Sequence, residues 1–395
     1  MRLCLISLDV APVRSSGLAV YAERLAERLV AGGHEVTMVA ARRPGTLLRT
    51  VTAGMVVERV AIGRSDWIGY GWHAARHVAL QHARQPFDLV HFLDVHFAWA
   101  YRGPFVASLL QSFHQRLTAD NGQPYASSAA NRAFRRVYYT TAMHLLERPT
   151  LYRAQALVSL SEATRQEFVT HYGLSERAIA LTPESVDTDY FAPQPAARVE
   201  PLRQQLGLQG CRVLLYVGFS NPRKGLEYLV AGLDALPDDV RLVIVGQWDA
   251  AYRQKVIEAA GGAWKRVLEV GSVPDAVMPV YYALADLVVL PSLLEGFGLP
   301  ALEALACGTP LVATRAGSLP EVIGPCGLLV PPRDTPALVE AISSLLADPT
   351  RRAALSVAAR ARALSHFSAE RAYESIMNVY NATGSMKRSS RITTG

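Results

Sequence analysis

The 395-residue chain has few cysteines and no long apolar run, and each shortage argues against a class of protein. The cysteines are far apart, without the spacing of a zinc site or a disulfide framework, and no histidine or carboxylate cluster has ligand spacing either. We therefore predict no metal site. No stretch of about 18 apolar residues appears, so we expect no membrane span. Asp9 interrupts the apolar start, which favours a buried strand over a signal peptide. Three of the cysteines flank or lie in apolar or helical segments, where a cysteine is usually a small core residue, and this indicates a cytoplasmic protein.

The chain also lacks a large net charge. The net charge is only +6, and four of the 40 basic residues are lysines. No basic run is interleaved with aromatic residues, so we expect no nucleic-acid partner. An excess this small is compatible with an anionic substrate or a membrane surface and proves neither. The oligomeric state stays open.

A third absence is the Gly-x-Gly-x-x-Gly dinucleotide fingerprint. The first predicted unit is a strand over residues 3–8, a loop over 9–17 and a helix over 19–31. Gly17 is the one glycine of that loop, so a nicotinamide oxidoreductase is disfavoured.

Strand and helix patterns alternate through the whole chain. Its length predicts two domains, and the alternation predicts parallel sheets covered by helices on both faces, the α/β class. Pro193, Pro195 and Pro201 indicate a linker. The predicted segments are an N-terminal domain over 1–195, a second domain over 202–367, a final helix over 368–383 and a flexible polar tail over 384–395.

The strongest chemical signal is residues 291–303, Pro-Ser-Leu-Leu-Glu-Gly-Phe-Gly-Leu-Pro-Ala-Leu-Glu. An apolar run, residues 285–290, precedes them and predicts a buried parallel strand. Pro300 suits the first turn of a helix. Glu295 is therefore predicted on a strand-to-helix loop, and Glu303 one turn into the helix.

The loop between these glutamates can hold an anion. Phe297, Gly298 and Leu299 would present backbone N–H groups at the helix start, and glycine lets a ligand approach closely. An anion cradle flanked by two carboxylates suits a nucleotide diphosphate sugar. The alternative for either glutamate alone is a solvated charge or one that complements the helix dipole.

A second loop, residues 218–225, reads Gly-Phe-Ser-Asn-Pro-Arg-Lys-Gly and follows a predicted strand. Its first residue, Gly218, stands at the carboxyl end of that strand, where open parallel sheets place ligands. Arg223 and Lys224 could neutralise a diphosphate leaving group there. Four of the 40 basic residues are lysines, so composition alone would favour an arginine at this position.

Residues 291–303 resemble the Glu-x(7)-Glu signature of retaining glycosyltransferases of family 4. The blocks Gly-Ser-Val-Pro-Asp (271–275) and Gly-Ser-Leu-Pro-Glu (317–321) are similar to that family as well. The resemblance covers residues 1 to about 380 and is strongest in the C-terminal half. It implies the GT-B fold, in which two Rossmann-like domains face each other across a cleft and a final helix crosses back to the N-terminal domain.

The resemblance also implies metal-independent transfer, without a cofactor, from a nucleotide diphosphate sugar to a glycan, lipid or small-molecule acceptor. Glu295 would contact the sugar hydroxyls, Glu303 the ribose and Lys224 the diphosphate. Gly17, Gly218, Val273 and the 297–299 amides join the implied donor-binding residues. An ordinary turn glycine is the alternative for Gly17.

Two positions depart from the family pattern. Phe219 stands where the family carries an arginine, and our hypothesis is that Arg223 takes over its phosphate contact. Leu110 stands where the family carries a histidine that faces the donor sugar. We hypothesise that His114 reaches the cleft instead, as a catalytic residue.

Other interpretations stay open at this point. His114 could be a surface or core histidine, and His91 and His96 are rivals for the same role. The aromatic segment 64–82 predicts either a core helix or one facing a membrane or an acceptor, which would place the protein at the inner membrane face. An epimerase, a phosphorylase or a catalytically degenerate carbohydrate-binding protein would share this fold.

Overall fold

The computed structural model describes residues 1–13, 17–63, 66–119 and 129–392, which form two compact units. The first unit contains the described residues up to Glu184 together with the C-terminal segment from Glu370 onward. The second unit contains Ser185–Ala369.

The first unit is built on an eight-stranded sheet within the described residues, with strand order β3-β4-β2-β1-β5-β6-β7-β8. Strand β3 pairs antiparallel with β4, and the other pairs are parallel. The strands are β1 Arg2–Ile6, β2 Glu35–Ala41, β3 Arg49–Thr52, β4 Met55–Val60, β5 Leu89–Phe92, β6 Val106–Leu109, β7 Ala156–Ser159 and β8 Ile179–Leu181.

The second unit is built on a six-stranded, all-parallel sheet with strand order β11-β10-β9-β12-β13-β14 among the residues described. This is the doubly wound order, which reverses direction between its first and fourth strands. The strands are β9 Arg212–Val217, β10 Val240–Val245, β11 Val267–Gly271, β12 Leu287–Leu290, β13 Leu311–Thr314 and β14 Gly327–Val330.

Helices connect the strands, as the alternating pattern predicts. The first unit contains α1 Gly17–Ala31, α2 Asp66–Arg84, α3 Phe113–Ala119, α4 Ala129–Ala142, α5 Arg148–Arg153 and α6 Glu162–Tyr172. The second contains α7 Ala196–Gln205, α8 Leu226–Val230, α9 Ala250–Ala260, α10 Met278–Leu284, α11 Leu299–Cys307, α12 Leu319–Ile323, α13 Thr335–Ala347 and α14 Pro349–His366. The last helix is α15 Ala369–Ile392.

Local sequence explains several helix ends. The Ser161 hydroxyl caps α6 by accepting a hydrogen bond from the Thr164 N–H at 3.1 Å. Gly173 ends the same helix with φ 68°, and Gly308 ends α11 with φ 70°, a conformation that favours glycine. Each unit then buries its own apolar cluster against its sheet.

The predicted boundaries need three corrections. The proline-marked linker is not irregular throughout, because residues 196–205 form α7 with Pro201 inside it. The second unit also begins earlier than predicted, at Ser185. The tail predicted to be flexible from residue 384 continues α15 as far as Ile392.

Helix α15 belongs to the first unit, where buried side chains anchor it. The Tyr380 hydroxyl lies 2.7 Å from Nδ1 of His91, and the Tyr373 hydroxyl lies 3.1 Å from Nε2 of His34. Tyr380 and Ile376 are both buried. The apolar face of the helix, rather than its polar end, therefore decides where this segment packs.

Candidate active site

The two loops singled out in the sequence lie next to each other in the second unit. Residues 218–225 follow β9, and residues 291–298 follow β12. Strands β9 and β12 are neighbours at the point where the strand order reverses. Open parallel sheets bind ligands at this switch point, outside the carboxyl ends of their strands.

Backbone contacts join the two loops. The carbonyl of Arg223 accepts hydrogen bonds from the N–H groups of Leu293 and Leu294, at 2.7 and 3.3 Å. Gly225 has φ 63°, and a Cβ there would lie 2.2 Å from the Pro291 carbonyl oxygen. Only glycine permits both the conformation and this approach.

The paired side chains of the site are Lys224 and Glu295. Nζ of Lys224 forms an ion pair with the Glu295 carboxylate, and the Ser292 hydroxyl lies 3.4 Å from the same carboxylate oxygen. Both charged side chains are 11% exposed. Breaking such a pair leaves an uncompensated buried charge, so each residue depends on the other.

The charges of this pair are set by burial and by each other. Burial lowers the pKa of Lys224, Arg223 lowers it further, and the attraction of Glu295 offsets these effects only in part. Burial alone would raise the pKa of Glu295, but Lys224 and Arg223 outweigh it and hold that pKa below its ordinary value. Glu295 is therefore ionised at neutral pH, with an ammonium group beside it.

The block 317–321 supports the glutamate loop from below. Gly317 has φ 53°, and a Cβ there would lie 1.9 Å from the Glu295 carbonyl oxygen. That carbonyl accepts a hydrogen bond from the Ser318 N–H at 3.4 Å. Gly298, with φ 92°, would likewise bring a Cβ within 2.8 Å of the Leu319 side chain. Close packing against the Glu295 loop therefore explains the glycine that this block shares with the family pattern.

The remaining predicted donor residues of the motif surround the start of α11. Gly298 occupies the position before Leu299, the first residue of the helix, and the Phe297 side chain is buried. The Glu303 carboxylate accepts a hydrogen bond from the Tyr282 hydroxyl at 2.9 Å. Tyr282, on α10, therefore orients Glu303.

The site also places Arg223 beside the ion pair. Residues Pro222–Lys224 form a 3₁₀ turn, and the Asn221 side chain accepts a hydrogen bond from the Arg223 N–H at 3.2 Å. The charge of Arg223 acts on both members of the pair. The Phe219 side chain, at the family's arginine position, is 43% exposed. Whether Arg223 replaces the missing contact stays a prediction.

Two further predicted donor-binding residues, Gly218 and Val273, follow strands of the same sheet. Gly218 ends β9 with φ 142°, and its N–H donates to the Val245 carbonyl at 3.0 Å. Gly246, after β10, approaches so closely that a Cβ would lie 2.1 Å from the Gly218 oxygen. Val273 lies in the loop after β11, two strands from β9, away from the ion pair.

The sequence analysis missed several supporting side chains. Ser292 stands inside the quoted motif and was not singled out, although a hydroxyl three residues before a glutamate can orient it. Tyr282 lies 21 residues before Glu303, and no local pattern connects the two. The buried hydroxyl of Ser318 has no hydrogen-bond partner within the described part of the chain.

In the first unit, the two rivals of His114 are buried and partnered. Nε2 of His91 lies 2.9 Å from the Ser108 hydroxyl, and its other nitrogen faces Tyr380. Burial lowers the pKa of His91 to about 3, so this histidine is neutral. Both observations describe a core histidine.

His96 is held between two carboxylates. Nδ1 lies 2.6 Å from Asp94, and Nε2 lies 2.9 Å from Glu147, which stands in a π-helical turn between α4 and α5. Burial alone would lower the pKa of His96, but the two carboxylates raise it to about 9. The Glu147 carboxylate also accepts hydrogen bonds from the Phe113 N–H and the Tyr172 hydroxyl. This network fixes the start of α3.

His114 follows on α3, and its ring is 27% exposed. Its Nδ1 lies 3.0 Å from the Glu167 carboxylate on α6. Its predicted contact with a donor sugar stays a prediction. Gly17 is exposed at the first position of α1, while Ser15 and Ser16 of the same loop lie outside the described residues.

Family models match both units of the chain. The model described as Glycosyltransferase Family 4 matches residues 15–190, and the one described as Glycosyl transferases group 1 matches residues 199–362. A D-inositol 3-phosphate glycosyltransferase of Geodermatophilus obscurus is 30% identical over 399 residues, which cover 93% of this chain and 85% of that protein. The chain belongs to glycosyltransferase family 4.

Two other proteins refine this placement. The GDP-mannose-dependent alpha-(1-6)-phosphatidylinositol monomannoside mannosyltransferase of Mycolicibacterium smegmatis is 34% identical over 226 residues. That alignment covers 54% of this chain and only 59% of the relative. Sucrose-phosphate synthase of Thermosynechococcus elongatus has a similar structure, with a TM-score of 0.81, 25% identity and coverage of 96% and 98% of the two chains. The family 4 chain therefore has the GT-B fold, with two parallel-sheet α/β units.

Among the helices of the described ranges, none is long and apolar enough to cross a membrane.

Proposed function

We propose that this protein is a hexosyltransferase that moves a sugar from a nucleotide diphosphate sugar to an acceptor hydroxyl. The observation that carries the proposal is the buried Lys224–Glu295 ion pair at the switch point of the second sheet. The family models and the glycosyltransferase names of the relatives support it. They favour a transferase over an epimerase, a phosphorylase or a degenerate binding protein.

The proposed chemistry depends on stabilising the leaving group. As the bond between sugar and phosphate breaks, negative charge grows on the diphosphate. Lys224 and Arg223 would meet this charge from one loop, and the amides of residues 297–299 would meet it from the start of α11. These groups are already positioned, so little reorganisation is needed when the bond breaks.

Glu295 has two proposed tasks. Before the donor binds, it holds the Lys224 ammonium in place through their ion pair. Once a phosphate shares that ammonium, the ionised carboxylate can accept hydrogen bonds from sugar hydroxyls. Glu303, oriented by Tyr282, would accept from the ribose hydroxyls of the same donor.

The stereochemical outcome and the need for metal belong to the same proposal. The Glu-x(7)-Glu motif is that of retaining enzymes, so the anomeric configuration of the donor should be kept in the product. The cations of the 218–225 loop supply the charge that a metal would otherwise supply. Transfer should therefore persist in a chelator, and proton coupling at the new anomeric carbon should match that of the donor.

The donor and acceptor classes are proposed from the relatives. One relative is named for GDP-mannose and a phosphatidylinositol monomannoside, the other for inositol 3-phosphate. We expect a donor of the GDP-sugar or UDP-sugar class, and an acceptor that is a polyol, a glycan or a lipid carrying one.

The proposed location is cytoplasmic, at the inner face of a membrane. In α2, Tyr70 is a core residue, whereas Trp72 is 54% exposed and Leu80 is exposed as well. On α4, Phe134 and Val137 are exposed beside basic residues. Exposed aromatic and aliphatic side chains next to arginines suit an anionic lipid surface. Flotation with anionic vesicles, compared with neutral ones, would test this part.

A donor screen tests the function. Purified protein should show a rise in unfolding temperature with one class of nucleotide diphosphate, because a ligand that binds the native state stabilises it. Incubation with the matching nucleotide sugar should then release free nucleotide diphosphate, faster with the correct acceptor. Failure of every UDP, GDP and ADP derivative to bind would contradict the proposal.

A further inference from the structure

Three potential metal ligands meet in the first unit, although His114 stands 53 residues before Glu167 in the sequence. His114 on α3 and the pair Glu167 and His171 on α6 each offer one ligand atom, and all three atoms lie within 4.8 Å of one another. The two imidazole rings stack with their centroids 3.5 Å apart. The proposed transferase reaction uses neither Glu167 nor His171.

The spacing of these atoms fits one small cation. Nδ1 of His114 lies 3.0 Å from one oxygen of Glu167, and Nε2 of His171 lies 3.5 Å from the other. A tetrahedral zinc ion with bonds of about 2.0–2.2 Å holds its ligand atoms roughly 3.3–3.6 Å apart. The two rings stack with an interplanar angle of 21°, so both imidazoles must rotate before their in-plane lone pairs can reach one ion.

Two of the ligands share a helix face. Glu167 and His171 are four residues apart on α6, so their side chains lie one above the other. The helix itself is fixed, because Phe168 and Tyr172 are fully buried and Ser161 caps its start. The two-ligand half of the site is therefore preorganised.

Neighbouring groups hold the third ligand and orient the carboxylate. The His114 N–H donates to the Tyr172 hydroxyl at 3.3 Å, which ties the start of α3 to α6. The Ser112 hydroxyl donates to a Glu167 oxygen at 2.7 Å. Hydrogen bonds of this kind from neighbouring residues orient metal-binding carboxylates.

We propose that His114, Glu167 and His171 form a binding site for a divalent transition-metal ion, with Zn²⁺ as its best occupant. Two imidazoles and a carboxylate suit zinc, whereas calcium and magnesium prefer oxygen ligands. His114 and His171 are 27% and 35% exposed, so a water molecule can complete the coordination. The site is separate from the donor loops and does not depend on their proposed function.

Untagged protein, freed of metal by dialysis against a chelator and then buffer, should bind one Zn²⁺ per chain in calorimetry. Replacing Zn²⁺ by Co²⁺ should give the visible absorption of a tetrahedral cobalt site. His171→Ala and His114→Ala should each weaken binding by about tenfold to 100-fold, and Glu167→Gln should do the same. Ser112→Ala should weaken it less, since Ser112 acts only through Glu167.

The matched control is His77→Ala. His77 also lies against a carboxylate, 2.6 Å from Glu58, but in a two-residue pair outside the cluster. Its loss should leave zinc binding unchanged. Equal effects of His77→Ala and His171→Ala, or no 1:1 binding by the wild type, would overturn the proposal. Circular dichroism would show that each variant is folded, and a donor screen with metal-free protein would separate this result from the transferase activity.

Discussion

Both units are built on a mainly parallel sheet, but different types of residue follow the strands of the two sheets. In the second unit, glycine-bounded loops after β9 and β12 present one buried Lys–Glu pair. In the first unit, His96 follows β5 and His114 follows β6, and each contacts a carboxylate on a helical segment, Glu147 and Glu167 respectively. Nine of the ten histidines and none of the four lysines fall within residues 1–184.

The comparison distinguishes a polar cluster that stabilises the fold from one that is placed to bind a ligand. The Asp94–His96–Glu147 network is buried, and it fixes the start of α3 through the Phe113 N–H. The Lys224–Glu295 pair instead lies at the switch point, on two loops whose glycines let the backbones approach closely. Changes to the Asp94–His96–Glu147 network should therefore affect stability, whereas changes to the Lys224–Glu295 pair should lower turnover in addition to any loss of stability.

The largest expected effect is that of Glu147→Ala on stability. The change leaves His96 with one carboxylate and removes the acceptor of the Phe113 N–H and the Tyr172 hydroxyl. Loss of one partner from a buried ionic network costs about 3–5 kcal/mol. Urea denaturation should show this loss, while Glu35→Ala, at an exposed ion pair with Arg2, should cost less than about 1 kcal/mol. Equal losses of unfolding free energy in Glu147→Ala and Glu35→Ala would contradict the structural role given to the buried network.

The second prediction is a pH dependence that His96 gives to the first unit. Its pKa is about 9 in the folded protein and about 6.5 when unperturbed. The protonated form is thus favoured by folding, so its stabilisation is complete below pH 6.5 and is lost as the pH rises through 9. The full effect is about 3 kcal/mol.

The comparison of wild type with His96→Gln measures this effect. The stability advantage of the wild type in urea should shrink between pH 6 and pH 9.5. A difference that stays constant over this range would show that His96 does not carry the charge.

Third, Lys224→Ala should lower turnover by about two orders of magnitude, the scale of losing one preorganised charge contact. Release of nucleotide diphosphate at saturating donor is the measurement. Lys255→Ala is the control, because Lys255 is exposed and lies 3.5 Å from Glu227, away from the pair. Turnover within twofold of the wild type for Lys224→Ala would remove this lysine from the mechanism.

Fourth, Glu295→Gln should keep affinity for free nucleotide diphosphate while transfer falls about tenfold or more. The amide preserves shape but loses the charge-assisted contacts to sugar hydroxyls, each worth about 1.5–3 kcal/mol. Thermal shift with the nucleotide and a transfer assay separate the two effects. A variant that loses nucleotide affinity would place Glu295 in the binding of the phosphates instead.

The last prediction decides the role of Arg223. If it replaces the arginine missing at Phe219, Arg223→Ala should approach Lys224→Ala in its loss of turnover. A change within twofold would show that the site works with one cation. In that case Phe219→Arg should raise donor affinity, measured as a lower KM for the nucleotide sugar.

Much of the second unit could be predicted because its signals are local. The apolar run before Pro291, the glycines around Phe297 and the proline at position 300 each act over a few residues, and they place Glu295 on a loop and Glu303 on a helix. The pairing of Lys224 with Glu295, 71 residues apart, follows from the strand order, which brings the loops after β9 and β12 together. The family resemblance predicts that both residues belong to the donor site, and this stays a prediction.

The sequence alone determined two α/β units, the family and the glycine-bounded loops 218–225 and 291–298, because strand periodicity and turn residues act on their immediate neighbours. Only the tertiary structure decided which histidine is a core residue, which carries a charge and which joins Glu167 and His171. His91 lies within β5, and His96 and His114 follow β5 and β6, so all three stand in or after buried strands in the sequence. Apart from Asp94, which lies two residues from His96, their partners lie 17 to 289 residues away and are brought close by tertiary packing, which no local pattern encodes.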